Sequence, residues 1–337
     1  MDEFGHDGSS GEFGRFVNIC LTIFLSITYC YFISRNTPKG FPRLLSILPI
    51  IYIFTIIPLK LSSFHLTTGT GFLISWLANF KLVLFSFDKG PLSSDPTPVS
   101  SSSPSPMTFL RFIGITCLPI KVKQSNRSTV PSCTRQHMHG MHCYVLEARN
   151  LFGIDVDPPF GNYFFLSTSF QDFWGRRWNL MVSSILRSFV HEPVRHIIRR
   201  SWGLYVAIIV TFFVSGLMHE LLIFYVFRKQ PCWDVLVFFI LNGICLAVEM
   251  KVKKSLNGKW QLNQLFSILL TNGFLVCSSF WLLFPFLEKF KFRVLVMEEM
   301  ANFTKLLHNV LVDPIVRSYL NASHMHETET NVSYGVI

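Results

Sequence analysis

The sequence predicts an all-α membrane protein that crosses the bilayer several times. Half of the 337 residues are hydrophobic, and 35 of them are phenylalanine. The mean hydropathy of +0.39 is too high for an ordinary soluble domain. Charged residues make up only 15% of the chain and cluster between the apolar runs. We expect about seven or eight membrane helices.

Three runs of spanning length lie early in the chain, at 16–34, 44–61 and 69–87. The first follows the polar, glycine-containing residues 1–15, which we expect to form a disordered tail. No basic segment precedes that run and no small-residue cleavage site follows it, so we expect a retained helix and not a signal peptide. The first run is followed by Arg35, Lys39 and Arg43, whereas Asp2, Glu3 and Asp7 precede it. By the positive-inside rule, this predicts a cytosolic loop after the run and a luminal N-terminus.

The next part of the chain departs from this pattern. Residues 91–106 form a low-complexity Ser/Pro segment, expected to be a flexible cytosolic linker. The apolar run 108–120 is short for a full span and predicts a re-entrant or tilted piece. Residues 121–162 are atypical, because they are basic and contain almost no apolar run.

A cluster of cysteine and histidine lies within 121–162. It consists of Cys133, His137, His139, His142 and Cys143. A zinc finger holds its ligands as two separated pairs, and this spacing is different. We therefore predict a solvated polar loop and no metal site.

Residues 169–179 mix charged and aromatic side chains, as is typical of a membrane boundary. The charged and amide residues are Asp172, Arg176, Arg177 and Asn179, and the aromatic ones are Phe173, Trp174 and Trp178. Residues 180–190 alternate apolar patches with Arg187, which predicts an interfacial amphipathic helix that ends at Pro193. The arginines of this region predict that it faces the cytosol.

The run 203–227 is the best candidate span, and it contains the ionisable pair His219 and Glu220. Thr211, Ser215 and His219 are four residues apart, so they form a polar stripe on one helix face. Ionisable residues in a span normally face the bundle interior or a water-filled cavity. Gly216 would allow a neighbouring helix or a substrate chain to approach closely. An alternative is that His219 packs between helices and bonds a backbone carbonyl.

Two further spans are predicted at 233–250 and 262–286, followed by a polar C-terminal tail, 291–337. Lysines between the two spans predict a cytosolic loop there and a luminal tail. Three glycosylation sequons in the tail, at Asn302, Asn321 and Asn331, are compatible with that orientation.

Several other functions are disfavoured. The zinc-protease pattern that begins at His219 fails because position 223 is Ile. A serine-hydrolase elbow and a phosphate-binding glycine loop are absent from the sequence. His308 and Asp313 match an acyltransferase spacing, but no phosphate-binding motif accompanies them and we interpret the match as chance. The net charge of +10 fits cytosolic loops that face anionic lipid, and the sequence contains no nucleic-acid-binding module. The eight cysteines are scattered and predict no disulfide framework.

Two motifs resemble the plant wax synthase branch of the membrane-bound O-acyltransferases. They are Asp172-Phe-Trp-Gly-Arg-Arg-Trp-Asn179 and Ser215-Gly-Leu-Met-His-Glu220. Further likeness lies at 71–80, 118–121 and 256–260, so the resemblance extends from about residue 15 to about residue 290. It implies that 16–290 is one acyltransferase domain whose helices enclose a catalytic chamber, resident in the endoplasmic reticulum.

The resemblance also implies a reaction, in which a fatty acyl group moves from acyl-CoA to a long-chain alcohol and gives a wax ester. Acyl-CoA is then a co-substrate, and no resident cofactor is expected. His219 would be the general base, because imidazole titrates near neutral pH. Asn179 matches the second active-site residue of that family. Arg176 and Arg177 would attract the CoA phosphates, the alternative being an ordinary solvated pair on the cytosolic side. Asp172 and Trp174 would shape the entrance, and Ser215 and Glu220 would at most support the site without touching the substrate.

Other interpretations stay open at this point. A sterol or another lipid alcohol could be the acceptor, since the motifs would look the same. Additional helices precede the Asn motif in the resembled family, so the atypical segment 121–162 also allows a degenerate enzyme. Outside the enzymes, a transporter or a non-catalytic membrane scaffold is possible, although the sequence shows no internal halves of the transporter kind.

Overall fold

The computed structural model describes residues 7–93, 107–122, 156–157, 159–161, 163–256 and 263–307, and these are almost entirely helical. Six helices in this part of the chain are long and apolar enough to cross a bilayer. They are Gly14–Asn36, Phe41–Lys60, Phe64–Ser86, Gly203–Phe227, Asp234–Leu256 and Gln264–Lys289. The all-α, multi-span fold class is confirmed, and the described residues supply six of the expected seven or eight spans.

The first helix, α1 (Asp7–Phe32), begins inside the stretch that we expected to be disordered. That expectation is wrong from Asp7 onward. Once a helix has nucleated in an apolar run, each added residue gains a hydrogen bond, so the helix extends into its polar flank. The second helix, α2 (Phe41–Ile56), continues as a 3₁₀ turn over Ile57–Lys60.

The third span, α3 (Phe64–Ser86), is a π-helix over its middle part, Gly71–Ala78. Such wide turns are rare and frequently occur at functional sites. This span is the most enclosed of the six, with 67% of its apolar window buried inside the protein. It therefore contributes mainly to the interior and little to the lipid-facing surface.

The short helix α4 (Phe109–Cys117) occupies the run that is too short to span. Lys81 on α3 is fully buried, and its Nζ donates to the carbonyls of Ile115 and Leu118, both at 2.7 Å. Carbonyls at a helix C-terminus lack partners within the helix, so the ammonium group caps them. This contact fixes α4 against α3.

A two-residue ribbon joins the ends of the atypical segment. Strand β1 (Lys121–Val122) pairs antiparallel with β2 (Val156–Asp157). Residues 123–155, which contain the Cys/His cluster, lie outside the described residues. So do residues 94–106 of the Ser/Pro linker.

A chain of short helices follows a 3₁₀ turn at Phe164–Leu166. It comprises α5 (Phe170–Asp172), a π turn (Phe173–Arg177), α6 (Leu180–Leu186), a second π turn (Arg187–His191) and α7 (Glu192–Ile197). The expected end at Pro193 is wrong, because the helix continues beyond that residue. The Glu192 N–H bonds the Arg187 carbonyl five residues earlier, which widens the helix just before the proline. We attribute the tolerance of Pro193 to this widening.

The last three spans are α8 (Gly203–Phe227), α9 (Asp234–Leu256) and α10 (Gln264–Lys289). Helices α8 and α9 pack closely through two glycines. A Cβ on Gly216 would lie 2.7 Å from Leu236 Cδ1, and one on Gly243 would lie 2.8 Å from Phe212 Cβ. The close helix approach predicted at Gly216 is confirmed.

The other side of α8 contacts the N-terminal helices. The Tyr225 hydroxyl donates to the Thr55 carbonyl at 2.8 Å and forms a hydrogen bond with Ser75 Oγ at 2.8 Å. Arg228 donates to the Pro58 carbonyl, also at 2.8 Å. Helix α8 is thus held between α9 on one side and α2 and α3 on the other.

A second, smaller compact unit comprises Ser63–His65 and, among the described residues, 287–307. It contains α11 (Phe292–Leu307), so the stretch predicted as a polar tail begins with a helix. The Glu299 carboxylate of α11 accepts hydrogen bonds from the Phe64 N–H at 2.6 Å and from Ser63 Oγ at 3.1 Å. Residues 308–337, with two of the three sequons and the His308/Asp313 pair, lie outside the described residues.

Candidate active site

His219 lies in the second half of α8, and its ring is bonded to the helix backbone. Nδ1 lies 2.7 Å from the carbonyl oxygen of Ser215, one turn earlier. A carbonyl oxygen only accepts, so Nδ1 carries the proton in this contact. In the neutral ring Nε2 then keeps its lone pair. Nε2 has no hydrogen-bond partner within the described ranges.

Two aromatic rings from other helices hold the imidazole of His219. Phe239 of α9 stacks on it with ring centroids 4.4 Å apart and planes 30° apart. Trp76, from the π-helical part of α3, makes an edge contact with centroids 5.4 Å apart. Three helices therefore determine the orientation of this ring.

A cavity of about 510 Å³ opens beside His219. The polar stripe predicted on α8, formed by Thr211, Ser215 and His219, lines it. Much of the remaining wall is apolar. The apolar lining includes Leu204, Ile208, Phe212, Leu246 and Met250. A volume in this range, with a few polar groups in an apolar wall, is typical of a small-molecule site.

Asn179 lines the same cavity as His219. It also caps α6, because its Oδ1 accepts from the Val182 N–H at 3.3 Å. Its backbone is left-handed, with φ 39° and ψ 64°, a region that Asn tolerates better than most residues. Capping uses only the amide oxygen. The Nδ2 group makes no hydrogen bond to any described residue and can donate to a ligand in the cavity.

The two predicted phosphate-binding arginines do not line the cavity. Arg177 Nε pairs with Asp172 Oδ2 at 2.7 Å, and its Nη1 donates to the Tyr163 carbonyl at 2.9 Å. Arg176 is exposed. The Asp172–Arg177 pair thus joins the start of the first π turn to its end.

The predicted Trp174 and Ser215 both line the cavity. Trp174 packs edge-on against Phe212, with ring centroids 5.2 Å apart. Its indole Nε1 is buried, as is that of Trp76, and neither has a hydrogen-bond partner among the described residues. Buried donors are normally satisfied, so these two N–H groups are candidates for contact with a ligand.

Glu220 does not line the cavity, although it follows His219 in sequence. It is only 3% exposed, and its Oε1 accepts from the Leu236 N–H at 3.2 Å. Its second oxygen is buried without a partner among the described residues. The two ionisable neighbours therefore face different surroundings.

Sequence reasoning did not identify four residues of this site. Trp76 and Phe239 contact the His219 ring, and Arg187 and His191 line the cavity from the second π turn. Burial and then the Arg187 guanidinium lower the pKa of His191. Only Trp76 carried a sequence signal, because it belongs to the 71–80 motif. The other three were indistinguishable from ordinary interfacial or core residues.

A metal centre finds no support in the described part of the chain. The described residues contain no group of three or more His, Cys, Asp or Glu that could hold a metal ion. The cavity combines two histidines, side-chain amides and indole N–H groups. This donor set suits proton transfer and hydrogen bonding to an oxygen atom.

Comparison with known proteins gives one family and a consistent set of relatives. The model of the membrane bound O-acyl transferase family matches residues 157–241, which include Trp174, Asn179 and His219. The chain is similar to probable long-chain-alcohol O-fatty-acyltransferase 9 of Arabidopsis thaliana. The two are 37% identical over 87% of this chain and 95% of the relative.

Two other relatives extend this result. Long-chain-alcohol O-fatty-acyltransferase of Simmondsia chinensis is 36% identical over 87% of this chain and 96% of its own length. Acyl-CoA--sterol O-acyltransferase 1 of Arabidopsis thaliana is 35% identical over 78% of this chain and 87% of its own length. The names of these two relatives differ in the class of alcohol.

Proposed function

This chain belongs to the membrane bound O-acyl transferase family, and we propose that it transfers a fatty acyl group from acyl-CoA to a long-chain alcohol, releasing a wax ester and free CoA. The observation that supports this most directly is the shared cavity. His219 Nε2 and Asn179 Nδ2 have no hydrogen-bond partner in the described part of the chain, and both side chains line one mostly apolar site.

The reaction needs a base, because an alcohol hydroxyl is a poor nucleophile at neutral pH. His219 Nε2 takes the hydroxyl proton while the alcohol oxygen attacks the thioester carbonyl carbon, a role that contributes about 10²–10⁴-fold to the rate. The C–O bond forms, and negative charge develops on the former carbonyl oxygen. When this intermediate collapses, the C–S bond breaks and the imidazolium returns the proton to the departing thiolate. No covalent acyl-enzyme is needed.

Asn179 supplies the second role. Its Nδ2 donates to the oxygen on which charge develops, and such a donor stabilises the transition state more than the ground state. Its Oδ1 is held by the Val182 N–H, so the amide plane is fixed and Nδ2 needs no reorganisation during the reaction. Capping and catalysis thus use different atoms of one side chain.

The CoA end of the donor carries several phosphates, and Arg187 is the arginine best situated to contact them. It lines the cavity, while its side chain is 73% exposed. Its nearest acidic partner is Glu192, at 3.7 Å, a distance that indicates a weak surface pair. We therefore assign the phosphate contact to Arg187 in preference to Arg176 or Arg177.

The acceptor is proposed to be a long-chain primary alcohol, with a sterol as the second candidate. The long-chain alcohol rests on the Simmondsia relative and the sterol on the Arabidopsis sterol acyltransferase, and these two relatives are nearly equally identical to this chain.

The degenerate-enzyme interpretation is disfavoured, because the His and Asn motifs are both present and their side chains line one cavity. We propose residence in the endoplasmic reticulum, with Arg187 on the side of the cavity that faces cytosolic acyl-CoA.

Expression in cells that cannot make neutral esters tests this function. Cultures are fed hexadecanol, octadecanol or a sterol, and the extracted lipids are analysed by mass spectrometry. We expect wax esters from the two alcohols. Sterol esters alone would favour the second candidate, and the absence of any ester from cells with normal membrane levels of the protein would contradict acyl transfer to both acceptors.

A further inference from the structure

We infer that Glu220 is a positioning residue for the base: it fixes the start of α9, and α9 holds Phe239 against His219. The inference rests on the proposed role of His219. Glu220 itself does not line the cavity, so it acts through the helix that it contacts.

The contact of Glu220 is specific and enclosed. The side chain is 3% exposed within a membrane-spanning helix, where an ionisable group is costly and requires a compensating interaction. Oε1 accepts from the Leu236 N–H at 3.2 Å. This bond joins α8 to the first turn of α9.

The residue that precedes helix α9 cannot cap it with its side chain. The Val237 N–H bonds the Trp233 carbonyl at 2.9 Å, so Trp233 is the residue that precedes the helix, and its indole has no oxygen to accept a bond. The first N–H groups of a helix lack partners within the helix, and Leu236 N–H is among them. The Glu220 carboxylate provides the missing acceptor from a neighbouring helix. Negative charge at that end also suits the helix dipole.

The close helix packing at Gly216 constrains the same turn of α9. Gly216 lies one helical turn before Glu220 on α8. A Cβ on Gly216 would be 3.1 Å from Leu236 Cα and 3.2 Å from Phe239 Cβ. Gly216 therefore sets the distance between α8 and α9, while Glu220 fixes the position of α9 along the axis of α8.

The consequence reaches the base through Phe239. This residue is three positions after Leu236, and its ring stacks on His219 with centroids 4.4 Å apart. If the first turn of α9 loosens, the Phe239 ring moves and the imidazole loses one of the two rings that hold it. Misplacement of a reacting group by about 1 Å can cost about 10² in rate.

Two substitutions at Glu220 distinguish the role of the hydrogen-bond acceptor from the role of the charge. Glu220→Gln keeps an amide oxygen that accepts from Leu236 N–H, and we expect activity close to that of the wild type. Glu220→Ala removes the acceptor, and we expect kcat to fall by about 10- to 100-fold with an unchanged KM for acyl-CoA. Ser278→Ala is the matched control. It removes a buried hydroxyl from α10, away from the cavity, and should leave kcat unchanged.

A double-mutant cycle tests the path through Phe239. In a Phe239→Leu background, Glu220→Ala should cost little additional activity, because the ring that Glu220 positions is already gone. Full additivity of the two losses would overturn the inference. Equal losses in the Gln and Ala variants of Glu220 would overturn it as well.

Hydrogen exchange gives a readout that does not depend on catalysis. In purified protein, Glu220→Ala should raise amide exchange in the first turn of α9, and Glu220→Gln should not. Unchanged exchange in the Ala variant would contradict the capping contact. If the wild type makes no ester, the proposed function fails, while the exchange experiment still decides whether Glu220 fixes α9.

Discussion

The Nδ1 atom of His219 and the carbonyl oxygen of Ser215 lie 2.7 Å apart, and this contact decides which ring nitrogen is free. The sequence left two readings of His219 open, a packing histidine bonded to a carbonyl and a catalytic base. A histidine that only packs between helices would make this contact with a backbone carbonyl. The same contact also holds the proton on Nδ1 and leaves the lone pair of Nε2 unused, as the base requires. The two readings therefore describe one arrangement.

Replacing His219 tests its role as base. We expect His219→Ala to reach the membrane at a normal level while ester formation falls by about 10²-fold or more, because the alcohol loses its proton acceptor. The rate is measured in microsomes with labelled acyl-CoA and normalised to the amount of protein. Turnover close to that of the wild type would remove His219 from the mechanism.

The approach of α8 and α9 can be tested at Gly216. A Cβ there would meet the Leu236 backbone at 3.1 Å, so Gly216→Ala should push the helices apart and destabilise the protein by about 1–3 kcal/mol. We expect a lower unfolding temperature in detergent together with lower activity. Gly273→Ala on α10 is the control, because a Cβ at that position meets nothing within 4 Å. If both variants unfold at the wild-type temperature, the two helices are not tightly packed at Gly216.

The spans could be predicted from sequence because hydropathy is a local property. The run 203–227 coincides with α8, and the polar stripe on one face of it lines the cavity as expected. The same logic placed α4 as too short to span. Predicting these features requires only the composition and the helical periodicity of a single segment, and both can be taken directly from the sequence.

The residues that other helices and turns contribute to the site could not be predicted in this way. Phe239 is one of many phenylalanines in apolar runs, and only the packing of α9 on α8 brings its ring to His219. Likewise, Arg176 and Arg187 look equivalent in sequence. Arg176 lies within the first π turn and Arg187 begins the second, and of these two arginines only Arg187 lines the cavity. Wide turns have no reliable sequence signature, so the register of side chains beyond them stays undetermined.

The orientation of the chain in the bilayer remains a prediction from loop charge. Basic residues place 171–202 and the loop near Asn257 in the cytosol and the C-terminus in the lumen. In sealed microsomes, a tag after Ile337 should resist added protease, whereas a tag inserted at Asn257 should be cut. Protection of the second tag and cleavage of the first would reverse the orientation and separate the arginine-rich face from cytosolic acyl-CoA.

Asn179 requires a substitution that separates its two roles. Asp also caps helices and also tolerates left-handed backbone, but it has no amide donor and brings negative charge toward the developing oxyanion. Asn179→Asp should therefore keep its stability in detergent and lose about 10²–10³ in kcat.

Asn179→Gly extends that test, because glycine accepts a φ of 39° freely and costs little as a cap. We expect it to be folded and similarly inactive. Activity in both variants near that of the wild type would make Asn179 a structural residue and leave His219 alone at the site.

The assignment of the CoA phosphates to Arg187 makes the last prediction. Arg187→Ala should raise the KM for acyl-CoA by about tenfold, because a hydrogen bond to a charged group contributes about 1.5–3 kcal/mol and the exposed position places this one at the lower end. The KM for the alcohol should not change. The difference between variant and wild type should shrink as salt is added, since solvent-exposed charges are screened.

Arg176→Ala is the matched control for that experiment, because Arg176 is exposed in the same arginine-rich stretch but does not line the cavity. A general loss of positive charge would affect both variants alike, whereas a specific contact affects Arg187→Ala alone. Steady-state kinetics at several salt concentrations distinguish the two cases. Equal increases in KM for the two variants would show that the stretch attracts CoA only through its summed charge, and the contact assigned to Arg187 would have to be abandoned.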